Sequence, residues 1–102
     1  MMELKDRIKE LSKGLYTQML DWRRHLHENP ELSFEEHSTM AYISSILTEI
    51  GVDHKTGVAE TGIIATIKGQ NSETRTVALR ADHDALPIQE LNEVEYLSLI
   101  HI

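Results

Sequence analysis

The sequence of 102 residues has no cysteine, and proline and large aromatic residues are scarce, with two prolines, one tryptophan and one phenylalanine. Without cysteine, these residues form neither disulfide bonds nor thiolate metal sites. No apolar run approaches the roughly 20 residues that span a membrane, and Met1–Asp6 has no apolar signal region. Basic residues are also few: 10 Lys and Arg stand against 17 Asp and Glu, a formal net charge of -7. This balance argues against nucleic acid or an anionic membrane as a partner, and a cytoplasmic location is the default expectation.

The composition is otherwise ordinary for a soluble globular protein, with 40% hydrophobic and 26% charged residues. A chain of this length suffices for one domain with a core, although it is short for an enzyme. The sequence contains no internal repeat and no low-complexity linker. We therefore expect one folded domain.

A long amphipathic helix is predicted at the start of the chain. Apolar residues recur there at spacings of four and three, which places them on one helical face. The residues of this face are Leu4, Ile8, Leu11, Leu15, Met19, Trp22 and Leu26. Pro30 disfavours helical geometry at Asn29, so the helix should end near that residue. We expect the face to pack in the core of its own domain; a partner-binding face is the less favoured alternative.

A second helix has its own start and stop signals. Ser33–Glu36 fits the capping box, in which the Ser33 hydroxyl and the Glu36 carboxylate satisfy each other's backbone N–H groups. Gly51 is suited to end the helix. The apolar stripe between these signals consists of Met40, Ile43, Ile46, Leu47 and Ile50.

Strand signals follow the second helix. A short extended piece is predicted at 53–56, and residues 62–68 are rich in β-branched side chains. Residues 69–73 read as a polar loop and residues 75–80 as a third strand. The order of helix, helix and three strands predicts an α/β fold with two helices packed on a mixed sheet.

A charged cluster follows the third predicted strand. Asp82 and Asp84 are two residues apart, so in an extended backbone their side chains leave one face and His83 leaves the other. Neighbouring carboxylates repel each other unless a cation, a proton or a hydrogen-bond donor relieves them. Converging acids at a strand end are typical of a divalent metal site or a proton relay. On spacing alone, a surface turn in which both acids cap backbone donors is equally well supported.

A second polar cluster spans residues 22–36. His25 and His27 lack the three- or four-residue spacing of paired helical metal ligands. For His27, Glu31 and Glu36 we favour structural roles, such as hydrogen bonds across the helix–turn–helix, over metal ligation. The three isolated histidines, which we interpret as surface residues, are His37, His54 and His101.

Together the two clusters resemble a known family. Arg23–His27 leading into Pro30–Glu36 resembles the opening of the metal-dependent amidohydrolases that include hippurate hydrolase, auxin-conjugate hydrolases and acetyldiaminopimelate deacetylase, within the broader aminoacylase and carboxypeptidase metallopeptidases. Thr61–Ala65 resembles the family's Thr-Gly strand entry. Leu79–Glu90 resembles its most distinctive early motif, although His83 stands where an apolar residue is more usual.

The resemblance covers the sequence from about Met19 to Tyr96, and it implies a fold, a reaction and a metal requirement. It implies the N-terminal part of a zinc-peptidase-like catalytic domain over residues 1–96, truncated, with a tail at 97–102 that has no family counterpart. The implied reaction is hydrolysis of the amide bond of N-acyl amino acids or related conjugates. It implies two divalent ions in the parent enzyme (zinc, manganese, cobalt or nickel), which activate a water and stabilise the oxyanion. The resemblance also implies a homodimeric parent.

Asp82 and Asp84 match the acidic motif of the family and would support the metal centre, while His83 should point away from it. The main metal ligands of relatives lie in a Met-His-Ala-Cys-Gly-His-Asp motif and in later segments that are not in this sequence. We therefore expect the chain alone to bind no metal, to be inactive and to be only marginally stable.

Two other classes of function stay open. A magnesium-dependent phosphoryl or nucleotide-sugar enzyme also uses Asp-x-Asp at a strand end. Against it, no glycine-rich phosphate loop precedes a helix in this sequence. A non-catalytic interaction module, whose first helix docks on a partner, is the other alternative.

Overall fold

The computed structural model describes residues 3–86, which form two units, residues 3–29 and residues 30–86. The first unit contains helix α1 (Leu4–Glu28). The second contains helix α2 (His37–Ile50) and strands β1 (Asp53–Val58) and β2 (Gly62–Thr66). The structure confirms an α/β arrangement of two helices followed by strands in the predicted order.

Helix α1 ends where the sequence predicts. The backbone N–H of Asn29 and its side-chain Nδ2 both donate to the carbonyl of His25, at 3.1 and 2.9 Å. Pro30 follows directly, and a proline disfavours helical geometry in the residue before it. Within residues 3–86, no helix has both the length and the apolar character needed to cross a membrane.

Most of the apolar face of α1 is exposed, whereas Trp22 and Leu26 near its C-terminal end are half-buried. Leu4, Ile8, Leu11, Leu15 and Met19 have exposed fractions between 46% for Met19 and 76% for Leu4, and no residue of the helix is buried. The prediction that this face packs in a core is therefore wrong for the residues from Leu4 to Met19. An apolar stripe is buried only when another element covers it, and sequence periodicity does not supply that element.

Helix α2 begins later than the capping-box pattern indicates. A turn closes between Leu32 and Glu35, and Phe34 within it has a φ of 64°. The helix then starts at His37, and Glu36 makes no side-chain capping bond. The predicted Ser33–Glu36 capping box is wrong, because the left-handed residue interrupts the helical path between the two residues.

The C-terminus of α2 is confirmed. Gly51 has a φ of 82°, in the left-handed region that glycine adopts without strain. Its N–H donates to the carbonyl of Thr48, and the N–H of Val52 donates to that of Leu47. This pair of bonds is the Schellman arrangement that satisfies the last carbonyls of a helix.

The two strands pair in antiparallel order. Asp53 lies opposite Thr66 and Lys55 opposite Ile64, with an irregularity before Val58 pairs with Gly62. A Cβ on Gly62 would lie 2.6 Å from the Val58 carbonyl oxygen, so this pairing requires glycine. The predicted strands at 53–56 and 62–68 are confirmed, the second ending at Thr66.

The third predicted strand is not formed in the structure. Residues 75–86 have no regular secondary structure, and the only sheet among the described residues is the antiparallel pair. Val77 is 77% exposed and Leu79 97% exposed, so the apolar residues that suggested a strand have no layer to pack against. The prediction of a strand at 75–80, and with it a mixed sheet, is wrong for these residues. The loop before it is confirmed as a turn at 71–74.

Helix α2 lies against both strands. The Ser44 hydroxyl and His54 Nε2 are 2.7 Å apart, and His54 Nδ1 is 2.9 Å from the Val52 carbonyl oxygen. His54 is half-buried by these contacts, so its interpretation as a surface residue is wrong, whereas His37 is exposed as predicted. His101 and the predicted boundary at 96–97 lie outside the described residues.

Candidate functional site

The acidic segment, defined as residues 82–84, follows β2 by way of irregular chain. Asp82 and Asp84 are exposed, and His83 between them is half-buried. This alternation agrees with the predicted placement of the two acids on one face and His83 on the other. Asp82 Oδ1 lies 2.7 Å from the Arg80 guanidinium, and both side chains are largely exposed. Because solvent screens such a pair, it contributes little to stability.

The buried side of the segment meets a carboxylate. His83 Nε2 is 3.4 Å from Glu36 Oε2, and the two side chains are 18% and 10% exposed. The Thr61 hydroxyl donates to Glu36 Oε1 at 3.0 Å, and Thr61 is 3% exposed. Glu36, Thr61 and His83, hereafter the Glu36 cluster, thus join the start of α2, the start of β2 and the acidic segment.

Glu36 stays in its charged form in this setting. Burial alone raises the pKa of its carboxyl. The hydrogen bond from Thr61, backbone N–H donors and the electrostatic effect of His83 oppose burial and hold the pKa of Glu36 below its ordinary value. The carboxylate is therefore a fixed anionic anchor at neutral pH.

Glu31 performs the capping that the sequence assigned to Ser33. Its carboxylate accepts hydrogen bonds from the backbone N–H groups of Ser38 and Thr39, in the first turn of α2. Burial raises the pKa of Glu31, but the bonds from Thr39 and Ser38 outweigh burial and lower it. The structure thus shows a structural role for Glu31, as we favoured, with side-chain bonds that run from the loop to the first turn of α2.

The backbone of Glu31 also holds the acidic segment. The N–H of Ala85 donates to the Glu31 carbonyl oxygen at 2.8 Å. With the His83–Glu36 contact, the segment is attached on both sides of Asp84 to the loop that precedes α2. The sequence motifs contained these residues, but no pattern indicated that they meet.

The described residues do not fit a complete metal centre. Among residues 3–86, no group of three His, Cys, Asp or Glu side chains could hold a metal ion. Asp82 and Asp84 are exposed and separate from the cluster beneath them. We therefore assign no step of a reaction to a metal from these residues.

Comparison with known proteins identifies relatives over most of the chain. The N-acyl-L-amino acid amidohydrolase of Geobacillus stearothermophilus is 43% identical over 94 residues, 92% of this chain and 25% of that protein. The thermostable carboxypeptidase 2 of Saccharolobus solfataricus is 39% identical over 100 residues, 97% of this chain and 25% of that protein. The N-acetyl-L-cysteine deacetylase of Bacillus subtilis is 46% identical over 84 residues, 82% of this chain and 20% of that protein. No family model and no solved structure matches the sequence.

These three relatives are named as an amidohydrolase, a carboxypeptidase and a deacetylase. The chain belongs to the amidohydrolase and carboxypeptidase family that its motifs resemble, which confirms the identification made from the sequence. It spans about a quarter of the length of the curated relatives that it matches.

Proposed function

We propose that this chain is part of a hydrolase that cleaves the amide bond of N-acyl amino acids or related conjugates. The observation that carries the proposal is the 43% identity, over 92% of the chain, to an N-acyl-L-amino acid amidohydrolase. The N-acetyl-L-cysteine deacetylase, at 46% identity, supports the same substrate class. These relatives do not favour the phosphoryl-transfer or interaction-module alternatives.

The proposal assigns the catalytic roles to Asp82 and Asp84. Both side chains are exposed, so they can reach groups outside residues 3–86, and the backbone beneath them is held by Glu31 and the Glu36 cluster. A fixed backbone with outward carboxylates is suited to orienting ligands or a water in a hydrolytic site.

Further parts of the proposal concern what accompanies the reaction. The complete enzyme would use two divalent ions, zinc, manganese, cobalt or nickel, whose main ligands lie outside the described residues. Its substrate is a small molecule, so neither nucleic acid nor a membrane is required. We also propose that the complete enzyme is a homodimer and that it is located in the cytoplasm.

A chimaera tests the proposal. The segment of the Geobacillus amidohydrolase that matches this chain is replaced by this chain, and release of amino acid from N-acetyl amino acids is measured with added divalent metal. We expect the chimaera to hydrolyse these substrates and the 102-residue chain alone to release no amino acid. A folded chimaera without activity would contradict the proposal.

A further inference from the structure

We propose that His83 is a positioning residue, which fixes the acidic segment to the start of α2 through Glu36. The importance of the segment for hydrolysis rests on the proposed function above, whereas the attachment itself does not.

The anchor is a carboxylate that has little freedom to move. Glu36 is 8% exposed, and a buried carboxylate is costly unless polar partners satisfy it. Thr61 directly precedes β2 and is 3% exposed. Its hydroxyl donates a hydrogen bond of 3.0 Å to Glu36 Oε1. Oε1 is thereby engaged, and Oε2 is the oxygen that faces His83.

The His83 imidazole connects Glu36 to the acidic segment. His83 Nε2 lies 3.4 Å from Glu36 Oε2, which is within ion-pair distance when the imidazole is protonated. His83 is half-buried, whereas Asp82 and Asp84 on either side of it are exposed. Holding His83 inward is therefore compatible with outward carboxylates at both neighbours.

The acidic segment has a second attachment, which does not depend on the side chain at position 83. The Ala85 N–H bond to the Glu31 carbonyl, at 2.8 Å, is a backbone bond and holds the chain on one side of Asp84 whatever side chain occupies position 83. One attachment alone leaves the backbone free to rotate about that point. With the contact between His83 and Glu36 added, the chain is held on both sides of Asp84.

Backbone ¹⁵N relaxation of the 102-residue chain tests the attachment without any substrate. We expect His83→Ala to lower the order parameters of the Asp82 and Asp84 amides from about 0.85 to below about 0.6. His83→Gln, whose amide N–H₂ can still donate to Glu36, should restore most of the order. His37→Ala, at an exposed histidine of the same helix–loop region, is the matched control and should change nothing.

The test separates this proposal from the proposed function. Unchanged order parameters in His83→Ala, or an equal loss in His37→Ala, would overturn the positioning role even if the chimaera is active. If His83→Ala fails to fold, the decision rests on His83→Gln and Thr61→Val. Wild-type order in His83→Gln together with reduced order in Thr61→Val supports the proposal, and any other combination overturns it. An inactive chimaera with the expected relaxation changes would sink the hydrolase proposal alone.

Discussion

Glu31 and Glu36 are the two residues on which the start of the second unit depends. Glu31 satisfies two N-terminal N–H groups of α2 through its carboxylate and holds Ala85 through its carbonyl. Glu36 joins Thr61 to His83. Glu36 through its side chain, and Glu31 through its backbone carbonyl, thus connect segments that are distant in the sequence. A single substitution at either residue should change the stability of the unit measurably.

Glu31→Ala should destabilise the unit by about 1 kcal/mol, because the backbone N–H groups of Ser38 and Thr39 lose their acceptor. The free energy of unfolding from urea denaturation measures this loss. Glu35→Ala, at an exposed carboxylate in the same loop, is the control and should cost much less. Equal costs for the two substitutions would show that Glu31 does not cap α2.

The pH dependence follows from the same groups. The pKa values of Glu31 and Glu36 are lowered in the folded chain from an ordinary value of 4.5. The unfolded chain therefore binds more protons in this range, so stability is complete above pH 4.5 and is lost as the pH falls through the lowered values. Urea denaturation at a series of pH values that starts above 4.5 and goes downward should show this fall in the free energy of unfolding. Glu31→Gln should reduce this dependence of the free energy of unfolding on pH. An unchanged dependence in that variant would contradict the lowered pKa of Glu31.

The sequence predicted the chemistry of individual residues better than their partners. The motif positions of Glu31, Glu36 and Asp82 were singled out from residue type and spacing alone. Their contacts were not, because Glu36 meets Thr61 and His83 across long separations that local patterns do not encode. His54 was missed for the same reason, since Ser44 reaches it from α2.

At the scale of elements, the helices and the first two strands could be predicted because their signals are local. The apolar periodicity predicted α1, Gly51 predicted the end of α2, and the β-branched residues predicted β2. The start of α2 was missed because a left-handed Phe34 has no sequence signature. Residues 75–80 have strand composition, but a strand needs a partner to pair with, and composition does not provide one.

Two glycine substitutions should act in opposite directions. Gly51→Ala should destabilise the second unit by about 1 kcal/mol, because alanine at a φ of 82° is strained. Gly14→Ala should raise the helicity of α1, with a gain of about 0.5–1 kcal/mol, because glycine is a poor residue in a helix interior. An added Cβ meets nothing within 4 Å at either position, so the contrast isolates backbone conformation from steric clash.

Urea denaturation of Gly51→Ala and far-UV circular dichroism of Gly14→Ala measure the two effects. A neutral Gly51→Ala would mean that the left-handed turn after α2 is not held in solution. A loss of helicity in Gly14→Ala would mean that α1 departs from regular helix at Gly14.

At the scale of the whole molecule, the described residues have no buried hydrophobic side chain. The buried residues among them are polar, namely Glu36, Thr39 and Thr61. Large apolar side chains such as Ile67 and Leu79 are 81% and 97% exposed. Hydrophobic burial is the main favourable contribution to folding, so little of it is available to residues 3–86.

The chain of 102 residues should therefore unfold in a broad transition of low cooperativity. Circular dichroism melts at several protein concentrations measure this, together with binding of a hydrophobic dye before the transition. A sharp, concentration-independent transition of a monomer without dye binding would contradict the marginal stability that we expect.

The central claim is that the acidic segment serves amide hydrolysis, and the most direct measurement is kcat/KM of the chimaera for an N-acetyl amino acid. Asp82→Asn and Asp84→Asn should each lower it by at least about 10-fold, as expected for groups that orient metal ligands or a water. Glu73→Gln, at an exposed carboxylate in the turn at 71–74, should leave it within about twofold. Values for both aspartate variants equal to that of Glu73→Gln would contradict the account.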